Sequence, residues 1–168
     1  MRFSMKLISG LGAIVLALTG VTVQADTPKA GGTLVMSIGT TPRHLNPAVQ
    51  SGIATGAPGA QLFATLLRFD DKWNPHPYLA KSWQVSDDSR TVTFNLVEGA
   101  TFHDGTPITS NDVAFSIKTI KANHPFKTMF GAVESVGTPD ANTAVFKLSK
   151  PHPALMLALS SQLGSIIP

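Results

Sequence analysis

Cysteine is absent from all 168 residues of the sequence. A disulfide framework and a thiolate metal site are therefore excluded. The same absence excludes the lipid anchor of bacterial lipoproteins, which is attached to a cysteine at the start of the mature chain. Export itself is not excluded, because a chain of this length can form a stable core without covalent cross-links.

Runs of charge of one sign are also missing. The chain has 13 Lys and Arg against 10 Asp and Glu, which gives a formal net charge of +3. Arg2 and Lys6 lie in a segment that we interpret as a removable leader, so the remainder has 13 − 2 = 11 basic and 10 acidic residues. These charges are scattered and are not interleaved with aromatic residues. We therefore predict no nucleic-acid partner.

Long hydrophobic runs are missing apart from one near the N-terminus. Residues 1–6 include two positive charges, and residues 7–18 are apolar except for one serine and two glycines. Small residues then lead to Ala25, which is followed by Asp26. This order is typical of a secretory signal peptide that is cleaved between Ala25 and Asp26. The alternative is a transmembrane anchor, for which the apolar run is short and interrupted by glycines.

The leader determines the predicted location of the mature protein. We predict a signal peptide over residues 1–25, a mobile polar tail over residues 26–32 and a periplasmic protein without a lipid anchor. The remaining residues are long enough for one folded domain, and the hydrophobic fraction of 43% fits a globular chain.

Signatures of catalysis are missing as well. There is no Gly-x-Ser-x-Gly elbow, no phosphate-binding loop and no nucleotide fingerprint. His103-Asp104 is the pair that invites an acid–base or metal interpretation, but a base needs a positioned partner and a metal needs three or four ligands. We instead expect Asp104 to form a turn and His103 to pack or hydrogen-bond locally. We predict no enzymatic activity, no cofactor and no metal.

A turn followed by a helix start stands out among the patterns that are present. Asp104-Gly105 is a turn pair, because glycine accepts a positive φ, and Pro107 restricts the backbone that follows. Thr109 and Asp112 have the spacing of a capping box, and the negative charge of Asp112 favours a helix N-terminus. The next residues supply the apolar face of a short helix, which includes Val113, Phe115, Ile117 and Ile120.

Strands and further helices are predicted from the apolar periodicity. Alternating residues predict one β-hairpin from residues 83–86 and 91–96, with Trp83, Val85, Val92, Phe94 and Leu96 on its core side. A second hairpin is predicted from residues 132–136 and 143–148. We also predict a strand over residues 33–39, a short helix over 61–67 and a helix over 154–163.

Four of these segments, in this order and spacing, resemble the signature of the family 5 solute-binding proteins of ABC importers. They are Leu79-Ala80-Lys81-Ser82-Trp83, the strand Val92-Thr93-Phe94-Asn95-Leu96, the turn Phe102-His103-Asp104-Gly105-Thr106-Pro107 and the helix start Asp112-Val113-Ala114-Phe115-Ser116. We expect Leu79, Ser82, Trp83, Phe94, Phe102, His103, Asp104, Gly105, Pro107, Asp112, Val113 and Phe115 to be structural residues of this signature.

The resemblance implies an α/β fold of the periplasmic-binding-protein-like type II class. In that family the two hairpins and the helix between them form an extra small α/β lobe beside two larger lobes. Residues 33–168 would be the N-terminal part of such a domain, truncated at the C-terminus, with only one wall of the ligand cleft.

The resemblance also implies a function, which is an extracytoplasmic receptor that closes on its ligand and delivers it to a membrane permease with its ATPase. Di- or oligopeptides are the expected ligands, and the full-length protein is expected to be a monomer. Alternatives are a binding or sensor module for a nickel chelate, haem, glutathione or an oligosaccharide, and an exported hydrolase. A hydrolase would need a nucleophile–base pair, which we do not find.

Three residues of one loop are the implied ligand contacts. The triplet Leu45-Asn46-Pro47 matches a family loop that runs along the cleft, so the resemblance places Thr41, His44 and Asn46 there. The alternative is that Asn46 only caps a turn before Pro47 and that His44 is a solvated loop residue.

Overall fold

The computed structural model describes residues 30–168. The chain divides into two units, residues 1–35 and residues 36–168. In the first unit, residues 30–35 have no regular secondary structure and are exposed. The predicted signal peptide, the cleavage position between Ala25 and Asp26 and the first part of the predicted tail lie outside the described residues.

The second unit has three α-helices and six β-strands in its described residues, which makes it a mixed α/β structure as predicted. In chain order they are α1 (Ile53–Leu62), β1 (Leu67–Phe69), β2 (Pro75–Pro77), β3 (Ala80–Val85), β4 (Thr91–Leu96), α2 (Ser110–Asn123), β5 (Val133–Asp140), β6 (Thr143–Leu148) and α3 (Ala154–Ser160). Strands β1 and β2 form a small antiparallel pair, and the other four form an antiparallel sheet in the order β3-β4-β6-β5.

Both predicted hairpins are present. In the first, Trp83 lies opposite Phe94, and the turn is held by Asp88, whose carboxylate accepts hydrogen bonds from the Ser86 hydroxyl at 2.6 Å and the Arg90 N–H at 3.1 Å. In the second, β5 continues to Asp140 and leaves a shorter turn than predicted. The hairpins then join through β4 and β6, so they form one sheet.

One face of this sheet forms the core. Phe94 and Phe146 lie on neighbouring strands with their rings 5.3 Å apart at 75°, an edge-to-face arrangement that aromatic pairs favour. Helices α2 and α3 supply the opposing apolar side chains, which are Val113, Ile117, Ile120, Leu155, Ala158 and Leu159. Burying a large aliphatic or aromatic side chain stabilises the fold by about 1.5–3 kcal/mol.

Two side chains that were predicted to be buried are half exposed. Val85 is on the face of the sheet that was predicted, opposite Val92, but it is 49% exposed because it ends an edge strand beside an open hollow. Phe115 is also 49% exposed, since it lies on the solvent side of α2 while Val113 and Ile117 face the sheet.

The N-terminal turn of α2 is attached to two distant parts of the chain. The predicted capping box is present, and the Asp112 carboxylate accepts hydrogen bonds from the Thr109 N–H at 2.7 Å and its hydroxyl at 2.8 Å. The buried Ser110 donates through its N–H to the Ala141 carbonyl and through its hydroxyl to the Asp140 carbonyl. The helix start is therefore bonded to the turn of the second hairpin.

Ser116 makes the second attachment, six residues after Ser110 in α2. Its buried hydroxyl donates to the Asp112 carbonyl at 2.6 Å and accepts the N–H of Ile167 at 2.9 Å. A buried N–H without a partner is costly, so this contact fixes the segment that follows α3 against the helix.

Lys121, near the end of α2, contacts the outer edge of the sheet. Its ammonium donates to the carbonyl of Val133 in the edge strand β5. The carbonyl of the neighbouring Ala132 accepts the N–H of Ser149, directly after β6. Because successive carbonyls of a strand point in opposite directions, the Val133 carbonyl points away from β6.

The predicted strand over residues 33–39 is absent. Residues 30–38 have no regular structure, and Leu34, Val35 and Met36 are largely exposed. The alternation of Leu34, Met36 and Ile38 is real, but a strand also needs a neighbour for its backbone hydrogen bonds. No strand within residues 30–168 pairs with this segment.

The predicted helix over residues 61–67 is displaced. Helix α1 ends at Leu62, and the buried Leu66 and Leu67 belong to the start of the β1 region. Their spacing from Leu62 and Phe63 fits a helix, but it fits a buried strand start equally well.

Helix α1 instead forms from a Gly- and Ala-rich stretch that has poor intrinsic propensity and contains Pro58. Its glycines allow close approach. A Cβ on Gly59 would lie 2.9 Å from the Pro47 ring, and one on Gly56 would overlap the side-chain amide of Gln162. Tertiary packing therefore outweighs propensity here.

The predicted helix over residues 154–163 is largely confirmed. Helix α3 runs from Ala154 to Ser160, and Leu163 lies in a short 3₁₀ turn, Gln162–Gly164, that follows it.

Replacing Asp112 with alanine is expected to lower the free energy of unfolding by about 1 kcal/mol, because the capping acceptor and its charge at the helix N-terminus are lost. Urea unfolding followed by circular dichroism measures the change. The matched control is Asn111→Ala, an exposed position of the same turn, which should stay within about 0.5 kcal/mol of the wild type. Equal losses for the two variants would contradict this role of the capping box.

His124 ends α2 as a buried histidine, 1% exposed. Its Nδ1 accepts the N–H of Phe126 at 3.0 Å, and its Nε2 has no hydrogen-bond partner among the described residues. Burial lowers the pKa of His124 below its ordinary value of 6.5, although the nearby backbone of Gln50 acts in the opposite direction.

The unfolded chain therefore binds a proton at His124 more readily than the folded chain. The free energy of unfolding is therefore expected to fall as the pH drops below 6.5. One titrating group can lower it by at most about 1.4 kcal/mol per pH unit. His124→Asn, which keeps an acceptor for the Phe126 N–H, should flatten the decrease in melting temperature between pH 7.5 and pH 5.5. The control is His103→Asn, at an exposed position, which should leave this decrease unchanged. If the decrease in melting temperature is unchanged in both variants, His124 is not its cause.

Candidate ligand-binding site

The loop that contains the predicted ligand contacts is anchored on helix α1. Pro47 and Ala48 are buried, and the Pro47 ring lies against Gly59. The Asn46 side-chain oxygen accepts the N–H of Ala48 at 2.9 Å. Asn46 thus makes the turn-capping contact that the alternative interpretation predicts.

Thr41 and His44 precede this anchor and are exposed. The Nδ1 of His44 accepts the N–H of Asn46 at 3.2 Å, which orients the ring within the loop. His44 and Asn46 are therefore joined by a hydrogen bond within the loop. A role for them in ligand binding stays a prediction.

An open hollow of about 340 Å³ lies at the C-terminal end of α1. We call it the α1 hollow. It is lined by residues of four separate segments, namely Ala60, Gln61, Leu62, Phe63 and Ala64, then Tyr78, then Thr101, Phe102, His103 and Ile108, and finally Ile166. Thr41, His44 and Asn46 are not among its lining residues.

The signature turn forms one rim of the α1 hollow. The Phe102 N–H donates to the Thr106 carbonyl at 2.8 Å, and the Gly105 N–H donates to the Phe102 carbonyl at 3.0 Å. Asp104 lies in the predicted turn, and its carboxylate accepts the Thr106 N–H at 2.9 Å, a contact that lowers the pKa of Asp104. Gly105 has a φ of 87°, which glycine tolerates best. The turn is thereby held rigid beside the exposed His103.

The far side of the α1 hollow is held by the segment that follows α3. The Ile166 N–H donates to the Ala64 carbonyl at 2.8 Å, and Thr65 bridges to Ser165. The end of α1 and this late segment are consequently fixed with respect to one another.

The lining of the α1 hollow combines apolar surface with a few polar groups. Gln61, Tyr78, Thr101 and His103 offer hydrogen-bond donors and acceptors beside Phe63. A volume of about 340 Å³ lies within the range of small-molecule sites. The sequence did not point to Gln61 or Tyr78, because residues from separate segments converge only in three dimensions.

The remaining signature residues have structural surroundings. Leu79, Phe94 and Val113 are buried in the core, and Trp83 is half-buried against it. Ser82 is exposed, and its hydroxyl accepts a hydrogen bond from the Asn95 side chain at 3.1 Å on the polar face of the sheet.

Residues 30–168 contain neither a metal-binding cluster nor a helix that could cross a membrane. No group of three or more His, Asp or Glu side chains in this part of the chain is arranged to bind a metal ion. None of its helices has the length and apolar character that a membrane crossing requires.

The fold is that of solved periplasmic binding proteins. The structure of the PBP AgaA from A. tumefaciens R10, in complex with agropinic acid, superposes with a TM-score of 0.70 at 31% identity, covering 76% of this chain and 26% of that one. Residues 74–168, more than half of the chain, match the family model described as bacterial extracellular solute-binding proteins, family 5 Middle. The chain therefore belongs to the family 5 solute-binding proteins.

Curated relatives give the same result. A Brucella ovis protein named as an ABC transporter peptide-binding protein is 36% identical over 121 residues, which are 70% of this chain and 22% of that protein. The dipeptide-binding protein of Escherichia coli K12 is 30% identical in an alignment of 189 positions, which covers 99% of this chain and 35% of that protein. The chain thus spans between a fifth and about a third of these relatives' lengths.

Gly105→Ala is expected to cost about 1–2 kcal/mol of unfolding free energy, because the side chain is strained at a φ of 87°. Thermal unfolding measures the loss. Gly137→Ala is the matched control, since a Cβ there would meet its nearest neighbours at 3.8 Å, an ordinary contact. If the two substitutions cost the same, the backbone of the signature turn is not the constraint described above.

Proposed function

We propose that the protein is the extracytoplasmic solute-binding component of an ABC importer, with di- or oligopeptides as its ligands. The observation that carries the proposal is the family match over residues 74–168, which contains the intact signature turn and helix α2. The peptide-binding and dipeptide-binding names of the relatives favour a peptide ligand. The partners would be a membrane permease and its ATPase, and the complete protein would act as a monomer without nucleic acid.

The α1 hollow is open, so it could form one wall of a ligand-binding site. Its lining includes several polar groups, which suits hydrogen bonds to a peptide backbone while side chains vary. An open wall buries only part of a ligand, so tight binding requires a second surface that closes over it. Ligand would then shift the population towards the closed form, and that form would dock on the permease.

Export and the absence of catalysis belong to the same proposal. The positive, apolar and small residues of positions 1–25 support secretion to the periplasm. Membership in a family of solute-binding proteins supports binding without turnover. A hydrolase remains the alternative that a product analysis tests.

A different small ligand is the second candidate. The AgaA structure contains agropinic acid and is 31% identical to this chain, so an opine-like acid is a reasonable competitor to a peptide. Nickel chelates, haem, glutathione and oligosaccharides complete the set to be screened.

The test is a thermal-shift screen of the complete protein with these ligands. We expect peptides to raise the melting temperature, because a ligand at a hundred times its Kd adds about 2.7 kcal/mol of stability. Mass spectrometry of the recovered peptide should show it uncleaved. Cleavage would favour the hydrolase, and no stabilisation by any ligand would reject the binding proposal.

Variants then locate the site. Tyr78→Phe and Gln61→Ala should weaken binding if the ligand contacts the α1 hollow, whereas Thr41→Ala and His44→Ala should do so if it contacts the loop. Losing one hydrogen bond to a neutral ligand typically costs about 0.5–1.5 kcal/mol, or up to roughly tenfold in Kd. Lys147→Ala, on the exposed face of β6, is the control and should leave Kd unchanged.

A further inference from the structure

His124 is a buried titratable side chain at the junction between α2 and β5. It is the C-cap of α2, where its N–H donates to the Ile120 carbonyl at 2.9 Å. Its own carbonyl accepts the Lys127 N–H at 3.0 Å, and its ring Nδ1 accepts the Phe126 N–H at 3.0 Å. The residue is 1% exposed within residues 30–168, and any further part of the chain can only bury it more. Its surroundings therefore do not depend on what covers the outer surface.

The contact with Phe126 fixes which ring nitrogen carries the proton. A neutral imidazole accepts a hydrogen bond only through the nitrogen that has no proton, so the proton of neutral His124 lies on Nε2. In the charged ring both nitrogens carry protons. Protonation therefore places an Nδ1–H against the Phe126 N–H, and two donors cannot bond to each other. The contact exists only in the neutral state of His124.

This contact begins the segment that leads from α2 to β5. We call residues 124–131 the His124 turn. The Met129 N–H donates to the Phe126 carbonyl at 3.0 Å, and the next residue, Phe130, is fully buried in the core. A donor that loses its acceptor away from water is costly. Loss of the Phe126 contact therefore weakens the His124 turn at its first residues.

Within residues 30–168, the elements packed against α2 bring no charged partner to the ring. These elements are the 3₁₀ turn Lys127–Phe130, β5, β6 and the 3₁₀ turn Gln162–Gly164. The titratable side chains of these elements and of α2 itself are Asp112, Lys118, Lys121, Lys127, Glu134, Asp140 and Lys147. None of the carboxylates among the described residues forms an ion pair with His124.

Burial and one backbone group act on the ring instead. Burial lowers the pKa of His124, and the backbone of Gln50, in the loop before α1, raises it. That loop, residues 46–52, contains no titratable side chain. Protonation of His124 is therefore opposed by the site without being compensated by a carboxylate.

We propose that His124 is a pH-sensitive latch on the connection between α2 and β5, closed when the ring is neutral and opened locally when Nδ1 takes up a proton. The latch consists of one titrating group and one hydrogen bond. It operates whatever ligand the protein binds, so it stands or falls separately from the proposed function.

The size of the effect follows from proton linkage. In the open turn the ring is in water and titrates near its ordinary value of 6.5, whereas in the closed turn burial keeps the pKa lower. The open state therefore binds the proton more tightly, and acid favours it. Between pH 7.5 and pH 5.5 we expect the equilibrium constant for opening to rise severalfold, with about tenfold as the upper limit for one proton.

The test is hydrogen–deuterium exchange of the complete protein at pH 7.5 and pH 5.5, read by mass spectrometry and corrected for the intrinsic exchange rate at each pH. Peptides that cover the His124 turn should exchange faster than peptides of β6 at both pH values, because the opening is local. Their corrected rate should rise at pH 5.5. In His124→Asn, which keeps an acceptor for the Phe126 N–H and cannot be protonated, the corrected rate should be the same at both pH values.

His152→Asn is the matched control. The Nε2 of His152 lies 2.9 Å from the Met129 carbonyl in the same turn, and it can donate to that oxygen in both the neutral and the charged state of the ring. Protonation of His152 therefore does not break its contact. His152→Asn should keep the dependence on pH, even if the turn exchanges faster at both pH values.

Three results would overturn the proposal. The first is a corrected rate in the His124 turn that is the same at the two pH values. The second is a rate equal to that of β6, which would mean that the turn opens only when the whole fold unfolds. The third is an increase at pH 5.5 that persists in His124→Asn. The first two are read on the wild type alone, so the test does not depend on the folding of the variant.

Discussion

The buried hydrogen bonds at the start of α2 are the constraint on which the rest of the structure depends. Ser110 bonds to the carbonyls of Asp140 and Ala141, and Ser116 bonds to Ile167. These contacts join a helix start to a hairpin turn and to the last described residues. Because buried polar groups must be paired, the three segments can dock in only one register.

This fixed register positions the α1 hollow. Helix α2 begins directly after the signature turn, and the segment at Ile166 and Ile167 is bonded both to Ser116 and to the end of α1 at Ala64. The turn and the end of α1 therefore both line the hollow in one connected arrangement. The close approaches at Gly56 and Gly59 extend it to the loop before α1.

Features that depend on neighbouring residues could be predicted from the sequence. The capping box of Thr109 and Asp112, the turn at Asp104 and the hairpin that contains Trp83 and Phe94 all follow from local spacing. The family also follows, because its signature residues are close together in the chain.

Features that depend on distant contacts could not be predicted. The alternation of residues 33–39 does not reveal whether a strand partner exists, and α1 forms where propensity is poor because Gln162 and Pro47 pack against its glycines. Val85 and Phe115 have the right periodicity, but their exposure depends on what covers them. The α1 hollow combines four segments, so no single motif indicates it.

The contact of Lys121 with Val133 has a consequence for the protein outside its native state. Strand β5 is an edge whose outward carbonyls can template pairing with another chain, which is the first step towards aggregation. Lys121 donates a hydrogen bond to one of these carbonyls, that of Val133. Two register irregularities interrupt the strand, and Pro139 has no backbone N–H to donate near the end of the strand. The edge is therefore protected against intermolecular strand addition.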